Sequence, residues 1–522
     1  MVSKHALVAL VLSALGLVLT TVNIAKAQKL KPQAQIGINL AGIVDWNTEL
    51  PLKDVFKMSR NWISQRQGQS WGKGPELTLD EHGYVTQLDK GCYVETPMRT
   101  IDGGHYPSGR YVLTYQGKGD IEFWGAARIL DAQPGRIVAD VDARRGTIWL
   151  RIKSVDPKDH IRDMHLMLES DLDTYEQNPW TSHFLRRWKG FATLRYMNFM
   201  ATNRNHIRTW EDRPKRDDAN WTDRGLPLEI MCDLANRLKI DPWFCIPHEA
   251  DDNYVRQFVK QADQLLDPNL KMYIEYSNEV WNGIFQANRY AAKKGQEMGL
   301  ADKPWEAAWS YYSVRNIEIF KIVADVLGDK RQDRAVRVLA SQAANSWVSN
   351  RICEYRGAHQ YADALAIAPY ISMNINTEQA PQVVSQSVTQ ILDHVENDAL
   401  AECIKWMQDN KKVAEKYHLK LIAYEGGQHL VGIQGAENND ALTEKLQAVN
   451  RHPRMARIYK KYYDAWAKAG GGVFATFIST ERWHKWGSWG LVEFYDSNPA
   501  DYPKMQATLQ WAKEHGQKVN MR

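Results

Sequence analysis

Residues 271–282 read KMYIEYSNEVWN. The first half has strand character, with aromatic and β-branched residues in alternation. Glu275, Ser277 and Glu279 share one side of that strand, and Ile274 and Tyr276 share the other. A carboxylate buried by a strand needs a partner, so Glu275 is expected to point inward onto Arg or Tyr side chains. Glu279, four residues on at the strand end, is left for other work.

Seven further short apolar segments have the same texture: IGINLAG (36–42), TLRYMNF (193–199), PWFCIP (242–247), VRVLAS (336–341), ALAIAPY (364–370), LKLIAYE (419–425) and GVFATFI (472–478). Helical periodicity separates them. Tyr254, Val255, Phe258, Val259, Ala262, Leu265 and Leu266 fall on one helical face, and 286–298, 306–327, 380–418 and 453–469 read likewise. Strands alternating with helices pair in parallel, and eight repeats predict an α/β fold, a (β/α)8 barrel. An open doubly wound sheet would want a Gly-rich phosphate turn, and neither GxGxxG nor GxxxxGK[ST] occurs.

The span between the first two strands is too long for one helix and its loops. Within it, GRYVLTY (109–115), DIEFWG (120–125), GRIVADV (135–141) and GTIWLRIK (146–153) are strands punctuated by glycine. In the last, Ile148, Leu150 and Ile152 alternate with Trp149, Arg151 and Lys153, as a half-buried antiparallel strand should. The predicted domains are therefore a barrel from 28–75 and 171–522 and an inserted antiparallel β-sandwich at 76–170. The first barrel helix is expected near 181–190.

Function in such a barrel gathers at the C-terminal strand ends. Those ends carry Asp45 and Trp46, Arg195 and Asn198, His248, Asn278 and Glu279, Gln342, Tyr370, and Glu425. Beyond the eighth strand come Ser479, Glu481, Trp483, Trp486 and Trp489. Two glutamates on separate strands facing one mouth suit acid/base and nucleophile roles at a glycosidic bond. One must keep its proton near neutral pH, while the other must stay ionised beside a cation. Arg195 is placed to be that cation, and a bridge from Arg195 to Glu275 is compatible with it.

Four motifs resemble the glycoside hydrolases of clan A, family five above all. IGINLAG is similar to that family's first strand, GFATLR (190–195) to its second, IEYSNEV (274–280) to its Asn-Glu-Pro strand end, and AYEGG (423–427) to its nucleophile motif. WHKWGSWG (483–490) stands where the family keeps a sugar-stacking tryptophan. The resemblance implies a retaining mechanism with Glu279 as acid/base and Glu425 as nucleophile, and Asn278, Arg195 and Tyr370 as their supports. Val280 departs from the family's proline. Ala368-Pro369-Tyr370 lacks its histidine, whose role falls to His248 or to nothing. The expected substrate is a β-linked polysaccharide, bound also by Trp46, Trp483, Trp486 and Trp489. The alternatives are a catalytically idle carbohydrate-binding or polysaccharide-assembly protein, and a protease or esterase, for which HExxH is missing.

The rest of the sequence narrows the setting. Lys4 and His5, an apolar run from Ala6 to Val22, and Ala25-Lys26-Ala27 describe a secretory signal peptide over 1–27. The protein is thus expected to be exported, periplasmic or extracellular, with no membrane association after cleavage. A formal charge of +4 over 522 residues gives no sign of a nucleic-acid partner. With 20 Trp and 23 Tyr against 12 Phe, aromatic side chains with polar edges dominate, which suits stacking on sugar rings. The five cysteines lack CxxC spacing and are expected as buried thiols. His248-Glu249 with Asp251 and Asp252 lacks a zincin's second histidine, so a helix start capped by Asp251 or Asp252 is expected there. No metal and no cofactor is expected. Lys460 and Lys461 fall on the solvated face of a helix.

Overall fold

The computed structural model describes residues 34–521; the expected signal peptide lies outside them. Eight parallel strands close into a barrel: Gln35–Asn39, Thr193–Arg195, Asp241–Ile246, Met272–Tyr276, Ala335–Ala340, Ala364–Ile367, Lys420–Ala423 and Val473–Thr476. They are called strands one to eight. Each lies on the segment expected for it, strands one, three and five beginning one residue ahead of it. Strand one pairs with strand two through Ile38 and Leu194, and with strand eight from Gln35–Val473 to Ile38–Thr476. The fold is a (β/α)8 barrel.

Local chemistry explains why these segments close. The strands are short apolar runs buried on both faces, which is what a parallel sheet covered by helices requires. Gly37 lets strand two approach, because a Cβ there would stand 2.2 Å from Thr193 Cγ2. The first helix, Ser182–Trp188, buries Phe184 and Trp188 against the barrel. Helix Asp252–Leu265 starts where Asp251 accepts a hydrogen bond from the Tyr254 amide, the predicted cap, and buries Tyr254, Val255, Phe258, Val259 and Ala262. Lys460 and Lys461 are exposed on helix Arg454–Lys468, as expected. The helix expected over 380–418 is instead Ala380–Ser385, Val388–His394 and Leu400–Lys416, the last two joined by a π turn at Val395–Ala399. All five cysteines are buried free thiols.

Two four-stranded antiparallel sheets stand between strands one and two. One runs in the order Ile63–Arg66, Cys92–Met98, Ile148–Val155, Gly119–Gly125; the other Ala127–Gln133, Arg136–Val141, Gly109–Gln116, Arg162–Leu168. They enclose their own core, including Val94, Leu113, Ile137, Leu150 and Leu166. The first strand of these sheets lies ahead of residue 76, the boundary expected from sequence. ISQR carries one apolar residue in four, too weak an alternation to read as a strand. Among the described residues no helix is long and apolar enough to cross a membrane.

Candidate active site

Strand four ends at Tyr276, and the backbone then turns sharply. Ser277 (φ 57°) and Glu279 (φ 43°) adopt left-handed conformations that a non-glycine residue enters at a cost of about 1–3 kcal/mol. Strand alternation therefore stops before Glu279, and the turn rather than the pleat positions its carboxyl. Val280, where the resembled family has proline, is buried, and its carbonyl accepts a 2.8 Å hydrogen bond from Asn288 Nδ2. Packing and that one bond hold the loop that a proline ring would otherwise stiffen.

Arg195, fully buried at the end of strand two, organises the floor. Its Nε and Nη2 donate to the two oxygens of Glu275, both at 3.0 Å. Nη1 donates to Glu425 Oε1 at 2.8 Å and to Asn39 Oδ1 at 3.0 Å, and Nη2 also reaches Asn278 Oδ1 at 2.8 Å. The two roles weighed for Arg195 thus coexist. Glu275 also accepts from Trp243 Nε1 at 2.8 Å, so the buried strut expected from strand parity is present and fully paired. Asn278 passes its amide Nδ2 to Asn203 Oδ1 at 3.1 Å.

The two mouth carboxylates have contrasting surroundings. Glu425 is held on both oxygens, by Arg195 on one and by the Tyr370 hydroxyl at 2.9 Å on the other. Glu279 has only neutral donors: Tyr424 Oη at 2.9 Å on Oε1 and Asn282 Nδ2 at 2.9 Å on Oε2. Burial first, and then the negative charge of Glu425, push the Glu279 carboxyl up to about 7. Burial also raises Glu425, but Arg195 and Tyr370 oppose it by favouring the ionised form. Burial keeps the phenols of Tyr370 and Tyr424 well above their ordinary range, so both remain donors. Gly426 explains the glycine after Glu425: a Cβ there would meet the Phe474 ring at 2.3 Å and Tyr462 Oη at 2.6 Å.

Three neighbours were not singled out from sequence. Tyr424 bridges Glu279 and Trp281, whose indole N–H donates to its oxygen at 3.2 Å. Asn282 lies three residues after Glu279, a spacing that could have signalled a turn contact. His429 stands beside Tyr370 and Trp489, ring centroids 5.7 and 5.0 Å away. The expected histidine, His248, is buried edge-on to Tyr290, and neither ring nitrogen has a hydrogen-bond partner.

The expected tryptophans divide. Trp489 packs against Tyr370 (6.0 Å between ring centroids), whose hydroxyl donates to Glu425. Trp46 and Trp486 are exposed. The Trp483 ring is buried between Arg451 and Lys504, and its N–H is given to the Gly490 carbonyl, which makes it a packing residue of the eighth-strand loop. Trp46, Glu481, Arg482 and His484 line a cleft of about 380 Å³ at the ends of strands one and eight, and Thr100 and Asp102 of the inserted segment line it too. Among the described residues one trio, His82, Asp217 and Asp218, clusters in a way that could hold a cation. None of the three touches the glutamates.

No family model matches the chain, and a search of curated proteins finds no match. Solved structures with a similar fold include glycoside hydrolases. A 4-O-α-L-rhamnosyl-β-D-glucuronidase from Fusarium oxysporum 12S is 10% identical with a TM-score of 0.38, and the match covers 62% of each chain. A GH5-4 broad-specificity endoglucanase from Clostridium acetobutylicum is 12% identical with a TM-score of 0.32, covering 62% of this chain and 86% of that one. Xylanase B from Clostridium stercorarium F9 is 12% identical with a TM-score of 0.34, covering 61% and 89%.

Proposed function

We propose that the chain is an exported retaining glycoside hydrolase that cleaves a β-linked polysaccharide. The observation that carries this reading is the pair of mouth carboxylates in opposite settings, Glu425 clamped by a cation and a phenol and Glu279 held by neutral donors. Glu425 attacks the anomeric carbon while Glu279 gives its proton to the departing glycosidic oxygen. Glu279, now ionised, takes a proton from water, and that water breaks the glycosyl ester on Glu425.

The signs of the pH dependence follow. The first step needs Glu279 protonated, so kcat/KM falls as pH rises through about 7, the value to which that carboxyl is raised. It also needs Glu425 ionised, so kcat/KM falls again towards acid. Glu279→Gln removes the alkaline limb and lowers turnover of natural glycans by about 10²–10⁴-fold. A variant that keeps the limb contradicts the assignment.

Tyr424→Phe deletes a hydrogen bond that favours the ionised form of Glu279. Its alkaline limb is expected to move to higher pH, with kcat reduced about tenfold, the scale of one hydrogen bond to a charged group. An unshifted limb would separate Tyr424 from the acid/base. The direct test of function is hydrolysis of a panel of β-glucan, mannan, xylan and bacterial exopolysaccharide, with Glu279→Gln and Glu425→Gln as controls. Wild-type turnover in both variants overturns the reading, and binding without hydrolysis marks a recognition protein instead.

A further inference from the structure

Trp305 and Trp347 are 41% and 51% exposed, and with Trp309 they form one aromatic cluster. Ring centroids are 4.8 Å apart for Trp305 and Trp309, 5.8 Å for Trp309 and Trp347, and 6.1 Å for Trp305 and Trp347. Trp305 and Trp309 sit in the first two turns of helix Pro304–Leu327, and Trp347 opens helix Ser346–Glu354, which follows strand five. Two half-exposed indoles do not complete a core, and contiguous apolar surface of this kind marks a binding face.

What ties the cluster to chemistry is a chain of hydrogen bonds. Trp309 Nε1 donates to the Trp281 carbonyl at 3.2 Å, Trp281 Nε1 to Tyr424 Oη at 3.2 Å, and Tyr424 Oη to Glu279 Oε1 at 2.9 Å. The cluster is thus continuous with the acid/base side of the site. On the reading above, Glu279 protonates the leaving oxygen, so the part of the glycan that departs lies on this side. Indoles offer flat apolar faces that stack on pyranose C–H faces and polar edges for hydroxyls. The Trp46 cleft is at strands one and eight, across the closed barrel from strands four and five.

We infer that Trp305, Trp309 and Trp347 form a leaving-group subsite for pyranose residues, so that a chain lying from the Trp46 cleft to this cluster is cut internally. The inference rests on the proposed hydrolase activity. The test compares wild type with the Trp305→Ala/Trp347→Ala double variant, both positions being exposed. Substrates are cellohexaose, mannohexaose and xylohexaose, and the 4-nitrophenyl β-glycosides of the same sugars, whose leaving group cannot span the cluster. For the sugar that wild type cleaves, the ratio of hexasaccharide to aryl-glycoside kcat/KM is expected to fall at least tenfold, with the loss mainly in KM. Cleavage should also move from internal bonds towards chain ends, and the thermal midpoint should stay near wild type. An unchanged ratio in a folded variant overturns the subsite and leaves the hydrolase reading standing. If wild type cleaves none of these hexasaccharides and aryl glycosides and no glycan of the panel above, both readings fall.

Discussion

Glu425→Gln is expected to lower kcat on a responsive glycan by on the order of 10⁴-fold or more, while the protein stays folded. The amide cannot form the glycosyl ester, and no neighbouring carboxylate can replace it. Glu279 is placed by its own turn, with Tyr424 and Asn282 on its two oxygens. Glu275 is occupied by Arg195 and Trp243 beneath the mouth. The fold should tolerate the change because Arg195 keeps its paired contact with Glu275 when the charge on Glu425 is lost. Single-turnover kinetics with circular dichroism checks both halves. Retention of a tenth or more of wild-type kcat would remove Glu425 from the nucleophile role.

Arg195→Met should be far more damaging to the fold. It leaves Glu275 and Glu425, both buried, without their shared cation. Removing one partner of a buried ion pair costs about 3–5 kcal/mol. Asn39 and Asn278 would also lose their donor. Arg195→Lys retains the charge, but a single ammonium cannot present the guanidinium fork that serves five acceptor oxygens on four side chains at once, so most of the loss should remain. Denaturant unfolding at neutral pH measures the effect. A change below about 1 kcal/mol for Arg195→Met would show that the network contributes little to stability.

The barrel strands were legible because each is an apolar run followed by a polar strand end, and the polar ends named Arg195, Asn278, Glu279, Tyr370 and Glu425. Arg195 joins Asn278 and Glu425 directly, and Tyr370 completes the clamp on Glu425. What sequence did not show depends on where alternation stops. Tyr424 follows the last residue of strand seven, so pleat parity no longer applies, and its hydroxyl swings to Glu279. Trp483 and Trp486 share one polar, Gly-rich loop. The first is buried against Arg451, Tyr502 and Lys504, groups its own loop does not supply, while the second is exposed. The Trp305 cluster escaped notice because its members come from two helices and meet only once the barrel has closed.

As the nucleophile, Glu425 becomes glycosylated during turnover. A 2-deoxy-2-fluoro β-glycoside of the responsive sugar, with an activated leaving group, should trap that species. Intact mass is expected to rise by one glycosyl unit, and peptide mapping should place it on Glu425, with no label on the Glu425→Gln variant. Labelling at another residue, or undiminished hydrolysis of the natural glycan with no covalent species, would take the nucleophile role from Glu425.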